Sequence, residues 1–172
     1  MRIIKTKTTY LEMHRLPTSV VSPPREGITV TKAEAPTAEF YRHLYRSVGD
    51  DFSWVDRLVL SDDELNAIIQ DGQVDIYVLA VGGETAGYGE LDRREQNQIE
   101  LAYFGLFPQF LGQGLGKYFL GWLVRQAWSF EPRRVWVHTC DLDHPAALPT
   151  YLKAGFRVYD EKVIDQVIPH AN

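Results

Sequence analysis

A single cysteine, Cys140, stands in a chain of 172 residues, so neither an internal disulfide nor a cysteine-built zinc site is available. Long apolar runs are also missing, and nothing approaches the roughly 18 consecutive apolar residues of a membrane-spanning helix. Basic residues are in the minority. Lys and Arg number 18 against 23 Asp and Glu, a formal net charge of −5 that argues against nucleic acid as a partner. The opening stretch MRIIKTKTTYLEMH lacks the apolar core and small-residue cleavage site of a secretory signal, so a cytoplasmic location is expected. What is present suits a globular domain. Hydrophobic residues make up 45% and charged residues 24%, which excludes a disordered chain, and the length suffices for one ordinary core.

The hydrophobic pattern predicts one α/β domain whose residues 1–26 form an N-terminal arm, with the main unit spanning 27–172. Thr6 to Met13 is β-branched and aromatic enough for a strand, and Pro17, Pro23 and Pro24 then mark a loop. Ile28 to Thr31 reads as a second strand. After Pro36, the repeat of Phe40, Leu44 and Val48, with Tyr41 and Tyr45 beside it, predicts a helix that Gly49 stops. Ser61 followed by Glu64 is a capping box that opens a short helix to about Gln70. The middle reads as a meander of strands at Val74–Val81, Thr85–Leu91 and Gln98–Leu106. A long helix follows the glycines at 112, 114 and 116. Val135 to Thr139 is a strand, Pro145 to Ala154 a helix capped by Gly155, and Phe156 to Tyr159 begins a last strand.

Strand, glycine-rich loop and long helix together make an anion site. A helix N-terminus presents unpaired N–H groups and the positive end of its dipole, and glycines admit a bulky anion to the backbone. Gly112-Gln113-Gly114-Leu115-Gly116 is not a P-loop, since no Gly-Lys-Ser/Thr follows at the required spacing. It is also a poor dinucleotide fingerprint, because the third glycine position holds Lys117. Close helix–strand packing is the plainer use of such glycines.

The stretch from Leu106 to Gly116 (LFPQFLGQGLG), followed by His144 to Phe156 (HPAALPTYLKAGF), resembles the two signature blocks of the GNAT superfamily of acyl-CoA-dependent N-acetyltransferases. The first matches Gln/Arg-x-x-Gly-x-Gly/Ala, with Gly114 and Gly116 as its glycines, and the second matches Asn-x-x-Ala-x-x-x-Tyr before Gly-Phe. The likeness runs from about Val74 to Tyr159. Leu111 stands where Gln or Arg is usual, although Gln109 gives the same pattern two residues early, and His144 replaces the Asn.

The resemblance implies a single three-layer domain with a mixed central sheet flanked by helices, and acetyl-CoA as co-substrate with no metal. It implies direct attack of an amine on the thioester. The pyrophosphate would lie on the amides of Gly112, Gln113, Gly114, Leu115, Gly116 and Lys117, with Leu111 also at the cofactor and the pantetheine beside Phe104, Gly105 and Leu106 and near His144. An N–H of Gly105 or Leu106 would serve the oxyanion. Glu100, 14 positions before Gly114, matches the base of the histone-acetylating branch. On a regular strand it shares a face with Ala102 and Phe104, and apolar neighbours would raise its pKa as a base near neutrality needs. Otherwise it is a polar strand residue opposite Arg93 or Arg94. Glu90 is the second candidate, reaching the cleft through water. Tyr151 matches the tyrosine that protonates the departing thiolate.

Asp143 and His144 could form a further acid–base pair, but an Asp here reads first as a helix cap. Asp141, Asp143, His138 and His144 match no standard metal spacing, and Cys140 reads as a small buried hydrophobe. The resemblance puts the acceptor groove at the first two helices, around Tyr41, Tyr45, Asp51, Phe52, Trp54, Asp56 and Arg57. Tyr45, Trp54 and Glu90 are the expected acceptor contacts. Aromatic rings among Asp50, Asp51 and Asp56 would suit a cationic amine. The acceptor is then a small-molecule or peptide amine, with neither nucleic acid nor membrane as partner. The strand-rich arm could pair across a homodimer. A catalytically idle acyl-CoA-binding sensor or scaffold is the alternative function.

Overall fold

The computed structural model describes residues 1–168, so the last four residues of the expected 27–172 unit lie outside the described residues. Seven strands make one mixed sheet in the order β2-β3-β4-β5-β6-β1-β7. These are β1 (Arg2–Met13), β2 (Ile28–Lys32), β3 (Val74–Val81), β4 (Glu84–Asp92), β5 (Gln98–Leu106), β6 (Arg134–Cys140) and β7 (Arg157–Ile168). Neighbours are antiparallel except β5 and β6, which run parallel. The helices are α1 (Ala38–Gly49), α2 (Asp62–Ile69), α3 (Leu115–Trp128) and α4 (Ala147–Lys153). Among the described residues no helix is long and apolar enough to cross a membrane.

Local rules account for most of these elements. The α2 capping box is closed in both directions between Ser61 and Glu64. Gly155 has φ +110° just past α4, a backbone only glycine adopts freely. Three details differ from expectation. α1 ends at Gly49 as expected, but not by a left-handed turn: the φ of Gly49 is −94°, the chain continues as a 3₁₀ turn over Asp50–Phe52, and Ser53 takes the positive φ. Gly49 is needed because the Trp54 ring lies where a Cβ would stand. Phe40 faces solvent, while Tyr41, Leu44, Tyr45 and Val48 are buried. The first strand starts at Arg2 rather than Thr6, and lies between β6 and β7.

Two features of β5 position the site. The first is a register shift against β4: Leu91 faces Leu101 and Glu90 faces Tyr103, so Ala102 is an extra residue. A bulge of this kind reverses the alternation beyond it. Glu100, opposite Asp92, therefore shares a face with Tyr103 and not with Phe104 as regular alternation predicts. The second is the short ladder to β6, which pairs only Gln98–Glu100 with Arg134–Trp136. From Leu101 onward β5 has no partner on that side, and the sheet opens into a cleft. Gly105 is required at this opening because Val48 of α1 packs directly on it.

Candidate active site

The cleft has a volume of about 1160 Å³ and runs through the splayed sheet. On the α3 side its rim is backbone. Gly114 caps α3 with φ +78° and no side-chain hydrogen bond, and Gly112 has φ +75°. Tyr118 N–H is the first to return to the helix, bonding to Gly114 C=O, so the amides of Leu115, Gly116 and Lys117 precede the helical ladder. A Cβ built at Gly112 would meet nothing within 4 Å, so the loop is an open cradle. These observations fit an anionic group of the size of a pyrophosphate.

The expected cofactor residues fall into two groups. Phe104, Gly105, Leu106, Leu111, Gly112, Gly114, Gly116, Lys117 and His144 all line the cleft. Leu115 and Gln113 do not. The Leu115 side chain is fully buried in the core, leaving only its amide for a ligand. The Gln113 side chain is held within the loop, its amide donating to Gln109 C=O at 3.2 Å. His144 does not turn its Nδ1 toward a pantetheine: that atom accepts from Ala146 N–H at 3.0 Å. Tyr151 of α4 is buried beside Phe104 and Phe156 and reaches the cleft. Burial, and then Asp143, pushes its hydroxyl well above the ordinary tyrosine range, so it stays protonated.

The opposite side of the cleft is built from side chains. Tyr45, Trp54 and Tyr103 pack ring against ring with centroids 5.2–5.4 Å apart. Asp143 fixes this group. It accepts from Trp54 Nε1 at 3.1 Å, from Thr139 Oγ1 at 2.6 Å and from the Cys140 N–H at 3.0 Å. Asp143 therefore does not cap α4, whose N-cap is Ala146 and which has no side-chain cap. Of the expected acceptor wall, Phe52, Asp56 and Arg57 line the cleft beside Tyr45 and Trp54, whereas Asp51 does not and Tyr41 is fully buried. Tyr103 was missed by sequence reasoning, since the bulge that turns it inward has no sequence signature of its own.

The two candidate carboxylates have different surroundings. Glu90 is fully buried and does not line the cleft, contrary to expectation. Its oxygens accept from Tyr41 Oη at 2.7 Å and Arg57 Nη2 at 2.8 Å, so it is committed to structure. Burial pushes the Glu90 carboxyl up while Arg57 and Tyr41 pull it down. Burial also works against the Arg57 charge, but Glu90, Tyr41 and Tyr103 together outweigh it and hold the guanidinium protonated. Glu100 has a 23% exposed side chain in the cleft and no arginine partner, because Arg93 bonds Asp75 and Arg94 bonds Asp92. Burial, then the negative charges of Asp92 and Glu90, raises its pKa to about 7. His138 Nε2 lies 3.6 Å from Glu100 Oε1, and burial lowers the pKa of its ring. Cys140 also borders the cleft, where burial keeps its thiol protonated. Among the described residues no three His, Cys, Asp or Glu side chains converge as a metal site.

No curated protein matches the sequence. Among solved structures, a GCN5-related N-acetyltransferase from Sphaerobacter thermophilus superposes with TM-score 0.69 at 14% identity, over 93% of this chain and 50% of that one. One from Kribbella flavida gives TM-score 0.63 at 14% identity, over 98% of this chain and 61% of that one. This chain thus spans half to three fifths of those two. A GNAT family acetyltransferase from Elizabethkingia anophelis, solved with acetyl-CoA bound, gives TM-score 0.59 at 18% identity, over 79% of this chain and 80% of that one. These likenesses establish the fold. The model of the acetyltransferase (GNAT) family matches residues 33–156, from the residue after β2 to the end of the α4 turn, and by that match the chain belongs to the GNAT family of acetyltransferases.

Proposed function

We propose that the protein transfers an acetyl group from acetyl-CoA to a primary amine of a small molecule or peptide, with Glu100 as base and Tyr151 as acid. The observation that carries this reading is the cleft itself. A backbone anion cradle and a buried hydroxyl lie on one side of the opened β5 edge, and a carboxylate of pKa about 7 lies on the other. Acetyl-CoA, when bound, would supply a thioester carbonyl open to an amine. Glu100, ionised above about pH 7, takes a proton from the incoming ammonium. The N–H groups of Phe104 and Leu106, which face the unpartnered edge of β5, hold the carbonyl oxygen, and Tyr151 Oη holds a proton for the leaving sulfur. The aromatic group around Trp54 with Asp56 favours a cationic acceptor.

Calorimetry with acetyl-CoA, followed by thiol release against a panel of primary amines, tests the reading. The expected result is micromolar binding and turnover on at least one amine. Tight binding without turnover on any amine would instead identify an acyl-CoA-binding sensor.

A further inference from the structure

The segment between β1 and β2 runs along α3, from its C-terminal half to its glycine cap. Arg125 donates to Ser19 C=O at 3.2 Å, and a Cβ at Gly121 would meet Val21 Cγ2 at 3.4 Å. At the cap, a Cβ at Gly114 would meet Pro24 Cβ at 3.5 Å. The next residue, Arg25, donates from Nη2 to Gln113 Oε1 at 2.7 Å. Gln113 is in turn held by Gln109 C=O, so a chain of hydrogen bonds fixes a guanidinium against the glycine loop. The loop itself, QFLGQGLG over 109–116, has no basic side chain, and Leu111 is 41% exposed at its rim. Arg25 is exposed, and no carboxylate pairs with it among the described residues.

We propose that Arg25, delivered by the β1–β2 segment, is a phosphate-binding residue that adds a second cation to Lys117 at the glycine loop and holds the pyrophosphate of acyl-CoA. The inference rests on the acyl-CoA reading above. A guanidinium hydrogen-bonded to the Gln113 side chain of the loop strengthens an anion site electrostatically, because the amides carry only partial charge and the one ammonium of Lys117 does not balance the two charges of a pyrophosphate. It also gives the N-terminal segment a task at the site although it contributes nothing to the family blocks.

The test is calorimetry of CoA and of dephospho-CoA with wild type, Arg25→Gln, Arg25→Lys and Gln113→Ala. Arg25→Gln should weaken both ligands by about the same factor, on the order of tenfold at low salt, with the gap to wild type narrowing as salt rises. Arg25→Lys should recover part of the loss. Gln113→Ala, which removes the tether and keeps the cation, should cost less than Arg25→Gln. Unchanged CoA affinity in Arg25→Gln would overturn the proposal while leaving the acyl-CoA reading intact. A loss confined to CoA would move Arg25 to the 3′-phosphate and overturn the pyrophosphate assignment. Equal losses in Arg25→Gln and Gln113→Ala would reduce Arg25 to a tether. Absence of CoA binding by the wild type would overturn both readings.

Discussion

The two sides of the cleft are made of different material. On the α3 side the functional atoms are main-chain amides, presented by a loop whose glycines need positive φ. On the α1 side they are side chains brought from distant parts of the chain: Trp54, Tyr103, Asp143, Glu100 and His138. A backbone site tolerates few residue types at few positions. A side-chain site depends on which residues the fold happens to juxtapose. The first kind should therefore break at a single position, and the second should break by degrees.

The largest effect is expected at the backbone side. Gly114→Glu places a side chain at φ +78° and a carboxylate against the anion cradle. CoA binding should fall below detection in calorimetry. Gly114→Ala isolates the backbone contribution, roughly 1–2 kcal/mol of strain, because the added Cβ meets Pro24 only at ordinary contact distance. If both variants bind CoA like wild type, the loop is not the phosphate site.

The next largest effect belongs to the buried pair beneath the other side. Arg57→Met leaves Glu90 fully buried without its cation, at a cost of about 3–5 kcal/mol in urea unfolding. Glu90 would then have a folded pKa far above its unfolded one, so the stability loss should grow as pH rises and shrink toward pH 5. Glu90→Gln combined with Arg57→Met should recover much of it. A loss independent of pH would mean that Arg57 acts by packing on Tyr41 and Tyr103 rather than by charge.

These contrasts explain what could be read from the sequence. The glycine loop, the α2 capping box and the β3–β4–β5 meander depend on residues close together in the chain, and the structure places them where the local pattern puts them. The placement of Glu100 in the cleft and Tyr151 beneath it was also legible, through the spacing of the two blocks. Glu90 was not. Two glutamates ten residues apart look alike in sequence, and only the Arg57 and Tyr41 contacts separate a structural carboxylate from a free one. Asp143 looked like a cap because its neighbour is near a helix start, but its partners are Trp54, 89 positions away, and the end of β6. The bulge at Ala102 reverses a face without any glycine or proline to announce it.

Glu100→Gln should lower kcat about 100-fold and remove its rise through pH 7, with acetyl-CoA affinity unchanged. The same substitution should stabilise the fold. Glu100 is raised from 4.5 to about 7 in the folded state, so wild-type stability is full below pH 4.5 and lost as pH rises through 7. The variant should match wild type at pH 4 and exceed it at pH 8, by up to about 3 kcal/mol. A kinetic loss without the stability gain would assign Glu100 a contact with the acceptor rather than a raised pKa.

The smallest effect tests whether the two sides are independent. Trp54→Phe keeps an aromatic ring against Tyr45 and Tyr103 and removes only the Nε1–H donated to Asp143. Asp143 keeps its bonds from Thr139 and Cys140, so the cost should be near 1 kcal/mol. The amine KM should rise a few-fold, because the ring is no longer fixed over the cleft, while the acetyl-CoA Kd stays put. Asp143 is also the residue before His144, on whose ring Phe52 packs at 5.8 Å, so a route to the α4 end exists. If acetyl-CoA affinity falls as far as the amine KM rises, Asp143 couples the two sides and they act as one binding unit.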